Sequence, residues 1–166
     1  MKRIRVISFI LTIGIMALIF FFSCQNSTDS AELSNGVTYR VAGFISMMLG
    51  EEFISVAKLT ALMHNFTRKC AHFSEYALLA MPAHVTIRLS IKNKTAGRAV
   101  IHTILFCMLY AITDEIHQHF VSGRSARVFD VFVDTCGAAA GTAIISALIL
   151  IIKFYGKRKW RLSNDS

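Results

Sequence analysis

Val6 to Cys24 is a run of 19 residues without a charged side chain, and it constrains this 166-residue chain more than any other feature. As a helix, such a run spans roughly 28 Å, close to the hydrocarbon thickness of a bilayer. Composition carries the argument to the rest of the chain. Hydrophobic residues make up 54% and charged residues 17%, and a soluble domain of this size has too little interior to hide that much apolar sequence. Three further spans are expected at Cys70–Ile87, Ala99–Phe120 and Phe129–Ile152. No stretch alternates with the period of a strand. The expected fold is therefore all-α: a polytopic membrane protein, residues 1–166 forming one domain, with four transmembrane helices at about 6–24, 70–87, 99–120 and 129–152.

Lysine and arginine set the orientation, because short basic loops resist translocation. With these spans, 12 of the 18 basic residues fall at the amino terminus, in the loop from Arg88 to Arg98, and in the tail after Ile152. The opposite side holds six, Arg40, Lys58, Arg68, Lys69, Arg124 and Arg127, together with nine of the ten acids. Both termini are expected in the cytoplasm. The net charge of +8 is then mostly topology, and a nucleic-acid partner is not expected.

The segment Gln25–Lys69 between the first two spans reads as polar loop over Gln25–Ser30. A break at Gly50 follows, and then an amphipathic outer helix opened by Glu51 and Glu52. Phe53, Val56, Leu59, Met63 and Phe66 share its apolar face; Glu51, Ser55, Lys58 and Asn65 share the other. Such a helix packs either on the bundle or on lipid head groups. Cys24, Cys70, Cys107 and Cys136 form no CxxC or Cys/His pattern and are expected as buried free thiols. A cleaved lipoprotein signal ending at Ser23-Cys24 is the weaker reading of the amino terminus, since the apolar run is too long and Phe21 and Phe22 too bulky for it.

Polar residues inside spans are costly, so they mark function or tight packing. At helical spacing, Arg68 or Lys69, His72, Glu75 and Tyr76 make one stripe, Asp114, Glu115 and Gln118 a second, and Arg127, Asp130 and Asp134 a third. The third continues into Gly137 and Gly141, whose spacing suits close helix approach. A charge facing hydrocarbon costs about 2.5–3.5 kcal/mol on insertion scales, so three stripes at matching depth are expected to face one another around a polar cleft. Glu75, Asp114, Glu115 and Asp130 are the candidate acid–base groups. The same carboxylates paired with Lys69, Arg124 and Arg127 would be structural. His72, His117 and His119 have no metal-site spacing, Ser122 lacks a GxSxG setting, and neither a metal nor another cofactor is expected.

The order His72-Phe73, Glu75-Tyr76, Asp114-Glu115, Gln118, Gly123-Arg124, Asp130, Asp134 and Gly137, with Phe22-Ser23-Cys24-Gln25-Asn26-Ser27 at the exit of the first span, resembles the VanZ-like family of small bacterial membrane proteins. Two positions depart from it: the family commonly has asparagine where Asp134 stands, and proline where Ser122 stands. The resemblance implies a multi-pass protein of the bacterial cytoplasmic membrane with an envelope role. Its founding member is associated with reduced susceptibility to teicoplanin. The expected function is binding of an anionic envelope ligand, lipid head group, lipid-linked precursor or glycopeptide at an outward cleft formed by Lys69, His72, Glu75, Tyr76, Asp114, Glu115, Gln118, Arg124, Asp130 and Asp134. Arg124 would be the two-pronged anion contact. A small hydrolase or transferase using the same acids on a lipid-linked substrate is the alternative.

Overall fold

The computed structural model describes residues 1–25, 27–49, 56–91, 96–122 and 126–164, with side chains 27–34, 49, 58, 61–62, 64–65 and 157–164 outside that description. Its elements are five helices: α1 Lys2–Ser23, α2 Ser27–Leu49, α3 Val56–Ser90, α4 Ala96–His119 and α5 Val128–Asn164. No strand occurs among the described residues, in line with the all-α expectation. Among the described residues, three helices are long and apolar enough to cross a membrane: α1, α4, and α5 as far as Gly156. α3, which contains the expected second span, is not among them. It carries Arg68, Lys69, His72, Glu75 and Arg88.

α3 instead occupies the centre, packing against α1, α2, α4 and α5. This placement suits its polarity, because charged side chains are less costly turned toward protein than toward lipid. The peripheral helices show the inverse pattern. In α1 the buried residues are Ser8, Thr12, Ile19 and Ser23, while Phe9, Ile10, Phe20 and Phe21 are exposed. Small and weakly polar residues inside, large apolar ones outside, is the arrangement of a bundle solvated by lipid. Two buried threonine hydroxyls find acceptors within their own helices: Thr12 Oγ1 donates to the Ser8 carbonyl at 2.8 Å and Thr142 Oγ1 to that of Ala138 at 2.7 Å.

Packing is tightest between α3 and α5. A methyl group at Gly137 would overlap the backbone carbonyl of Phe73, and one at Gly141 that of Ala77. Both pairs are four residues apart, so one turn of each helix repeats the contact. The core beside it is small: Tyr76, Leu79 and Ala80 of α3 meet Ile19, Cys107, Ala111 and Ala138. Tyr110 Oη donates to the Met16 carbonyl at 2.7 Å, fastening α4 to α1. Toward the far end, fully buried His84 lies 3.1 Å from Thr103 Oγ1 and 3.3 Å from Ser146 Oγ. The Thr103 hydroxyl donates to Ala99 O at 2.7 Å, leaving its oxygen to accept from His84 Nδ1, so one imidazole joins α3, α4 and α5.

Three expectations need correction. Polar loop was expected over Gln25–Ser30, but α2 already begins at Ser27. Serine, threonine and aspartate open helices as readily as they form loops. Among the described residues, Val56–Phe66 is not a separate amphipathic helix but the start of the continuous 35-residue α3. Val56, Leu59 and Met63 are half-buried there and Phe66 is exposed, while Glu51, Glu52, Phe53 and Ser55 and the side chains of Lys58 and Asn65 lie outside the described residues. α2 packs chiefly on α3, with Thr38, Ala42 and Ser46 buried and Val37, Phe44, Met47 and Met48 exposed. Finally, only Cys107 is a buried thiol; Cys136 is half-buried, and Cys24 and Cys70 are exposed.

Candidate functional site

A cavity of about 400 Å³ lies where the carboxyl-terminal ends of α1 and α4 meet α2 and the first half of α3. Ile19, Phe22 and Ser23 of α1 and Val37 of α2 form part of its wall; Arg68, Cys70, His72 and Glu75 come from α3, and Asp114 and Gln118 from α4. His72 and Glu75 are three residues apart, and so share one face of α3. Asp114 and Gln118 are four apart on α4, and Gln118 Nε2 donates to Asp114 Oδ2 at 3.0 Å. That bond fixes the amide and carboxylate as a unit, both nearly fully buried.

Around this cavity the structure sorts the sequence candidates. His72, Glu75, Asp114 and Gln118 line it. Asp134, fully buried on α5, stands behind His72 with Oδ1 3.7 Å from Nδ1, within ion-pair range when the imidazole is protonated. Neither Asp134 oxygen has a hydrogen-bond partner among the described residues, and the same holds for the buried Tyr76 hydroxyl. Glu115 does not line the cavity. Its Oε2 accepts the Arg127 backbone N–H at 2.8 Å, placing a carboxylate at the positive end of α5. Asp130 takes Lys69 as its partner at 3.2 Å, and Lys69 Nζ also sits 4.0 Å from the centre of the Phe129 ring. This pair clamps the rim of α3 to α5. Gly123 and Arg124, with the anion contact expected of Arg124, lie outside the described residues.

Several wall residues were missed by the reading of stripes. Ser23 is buried, and its hydroxyl has no hydrogen-bond partner among the described residues. A lone small polar residue at the end of an apolar run was the available signal. Of Arg68 and Lys69, the sequence reading placed Lys69 in the cleft; the structure instead puts Arg68 in the cavity wall and Lys69 on Asp130. Next to the wall, Cys24 Sγ approaches His117 Nε2 at 3.3 Å, and the Phe20 ring stacks on that imidazole at 4.7 Å. Among the described residues, no three His, Cys, Asp or Glu side chains converge as metal ligands.

The family model of VanZ/LLP1 matches residues 8–152, from the first turns of α1 to the apolar part of α5, taking in every helix that builds the cavity. The chain belongs to the VanZ/LLP1 family. It is a VanZ-like membrane protein whose apolar helices associate with the lipid bilayer. No curated protein and no solved structure matches it. Within the VanZ/LLP1 chain, the chemical capacity of the cavity is plain. Its described wall residues combine hydrogen-bond acceptors, a guanidinium and an apolar strip in a volume within the range of about 300–1,000 Å³ common for small-molecule sites.

Proposed function

We propose that this VanZ/LLP1 protein is an accessory binding protein of the bacterial envelope, whose cavity engages the head group of a lipid or lipid-linked envelope precursor. One observation carries the reading: the cavity joins a polar wall, Arg68, His72, Glu75, Asp114 and Gln118, to an apolar one, Ile19, Phe22 and Val37. An amphiphile presents the same two chemistries. In this reading the chain acts as a single domain in the cytoplasmic membrane, with the second half of α3 as a fourth span. Both termini are cytoplasmic and the cavity opens outward. Sequestering or presenting such a ligand would alter susceptibility to teicoplanin-type glycopeptides. Lys69, Tyr76, Glu115, Asp130 and Asp134 support the wall from behind, and Arg124 is the proposed outer anion contact.

The test is purification in mild detergent, stepwise delipidation, and mass spectrometry of what stays bound. One lipid species retained after bulk lipid has been stripped is the expected result, and the same mixture as the surrounding membrane at every step would overturn it. The second reading, a hydrolase or transferase, is favoured by one observation, that two carboxylates, Glu75 and Asp114, line the cavity together. It requires chemical turnover of the retained species by the purified protein.

A further inference from the structure

A nucleophile and a base meet beside the cavity rather than in its wall. Cys24 is exposed, and its Sγ stands 3.3 Å from His117 Nε2, a hydrogen bond between residues 93 positions apart in the chain. With Nε2 accepting the thiol proton, the neutral ring carries its own proton on Nδ1. Both partners are held in place. Cys24 caps α1, its N–H donating to the Phe20 carbonyl at 3.0 Å, and the Phe20 ring lies on the imidazole with centroids 4.7 Å apart. A thiol within hydrogen-bond reach of a base that a third group orients is the arrangement of nucleophilic catalysis. A thiol serving only to fill space belongs inside the bundle, where Cys107 is.

Depth selects the substrate. α1 is 22 residues long and apolar enough to cross a membrane; at about 33 Å it matches the hydrocarbon thickness, and Cys24 follows its last residue. The pair therefore sits where the acyl chains of a lipid end and their ester carbonyls begin. Phe20, Phe21 and Phe22 are exposed beside it, an apolar approach that suits an acyl chain and not a water-soluble substrate. We infer that Cys24 is an acyl-accepting nucleophile, with His117 as its base and the ester of a membrane lipid as its substrate. The sulfur attacks the ester carbonyl while His117 Nε2 takes the thiol proton. The S–C bond forms, the acyl C–O bond breaks, and the imidazolium returns the proton to the departing oxygen. The products are a thioester on Cys24 and a lipid with one free hydroxyl, and no other reactant is required. The acids of the cavity take no part, so the inference stands apart from both readings above and does not depend on a ligand in the cavity.

The experiment uses the full chain in detergent with p-nitrophenyl decanoate, an activated ester, and follows acylation of each cysteine by peptide mass spectrometry. Cys70, the other exposed thiol, is the internal reference. Cys24 is expected to acylate about tenfold or more faster than Cys70, a fraction of the roughly 10²–10⁴-fold that a positioned base supplies. His117→Gln should bring Cys24 down to the rate of Cys70. Equal rates at the two thiols in wild type, or an undiminished rate at Cys24 in His117→Gln, overturn the assignment of nucleophile and base. The wild-type comparison stands even if that variant does not accumulate. The lipid itself is tested with the protein reconstituted in phospholipid vesicles and neutral hydroxylamine added to trap the thioester. Fatty hydroxamate should form with wild type and not with Cys24→Ser. Hydroxamate formed equally by both, or by neither, overturns the lipid ester as the substrate.

Discussion

Neighbouring residues on one helix meet different fates here, and the fates follow from angle. Asp114 and Glu115 are separated by about 100° around α4. One holds Gln118 in the cavity wall, while the other accepts the Arg127 amide at the start of α5. Asp134 is the most enclosed acid, with His72 at 3.7 Å and no hydrogen bond to either oxygen among the described residues. A buried ion pair contributes little net stability, because desolvation offsets the attraction. Asp134→Asn keeps the shape and removes the charge, and because the partner is an imidazole that can stay neutral, no unpaired buried charge is left behind; the substitution is expected to change unfolding stability in detergent by no more than about 1 kcal/mol, in either direction. A loss of about 3 kcal/mol or more on thermal unfolding would show that the His72–Asp134 pair holds the bundle together. The spacing of these acids was readable from sequence. Which of two adjacent acids serves the cavity was not, because that depends on the rotation of α4 against its neighbours.

At the scale of helices, α1, α4 and α5 were legible from long apolar runs, charge-free in α1 and interrupted in α4 and α5 only by acids near one end, Asp114 and Glu115 in one and Asp130 and Asp134 in the other. α2 was not, because its opening Ser27-Thr28-Asp29 has the composition of a loop as well as of a helix start. α3 was read as two pieces, and the structure runs it unbroken from Val56 through Pro82 to Ser90. The proline removes the N–H that the Leu78 carbonyl would accept, a defect that packing on four sides tolerates. Gly137 and Gly141 were correctly read as a packing surface, and the structure adds the facing backbone of Phe73 and Ala77. Gly137→Ala is therefore expected to push α5 off α3 and cost roughly 1–3 kcal/mol, the usual scale of overpacking. Gly97→Ala, with open space around its position, is the matched control. Thermal unfolding of the two variants side by side checks this; equal stability would mean that α3 and α5 do not approach so closely.

The whole molecule is a bundle turned inside out relative to a soluble one, with its most polar helix in the middle and its most apolar surfaces outward. The stripes were placed at one end from sequence, and the cavity is found there. Its enclosure by α2 was illegible because Val37 belongs to a segment without any span signal. Orientation has a direct readout in Cys70, an exposed native thiol on the cavity wall. With Cys24, Cys107 and Cys136 replaced, an impermeant maleimide should label it on intact cells; labelling only after permeabilisation would reverse the proposed topology. The central claim is that the space between α1, α3 and α4 holds a ligand, and Ser23→Trp tests it most directly. Ser23 is small, lines that space, and can be enlarged without touching an ionic contact. Native mass spectrometry of wild type and Ser23→Trp at equal membrane abundance should show the retained lipid lost when the indole fills the cavity. Undiminished lipid retention in the filled variant would contradict the account.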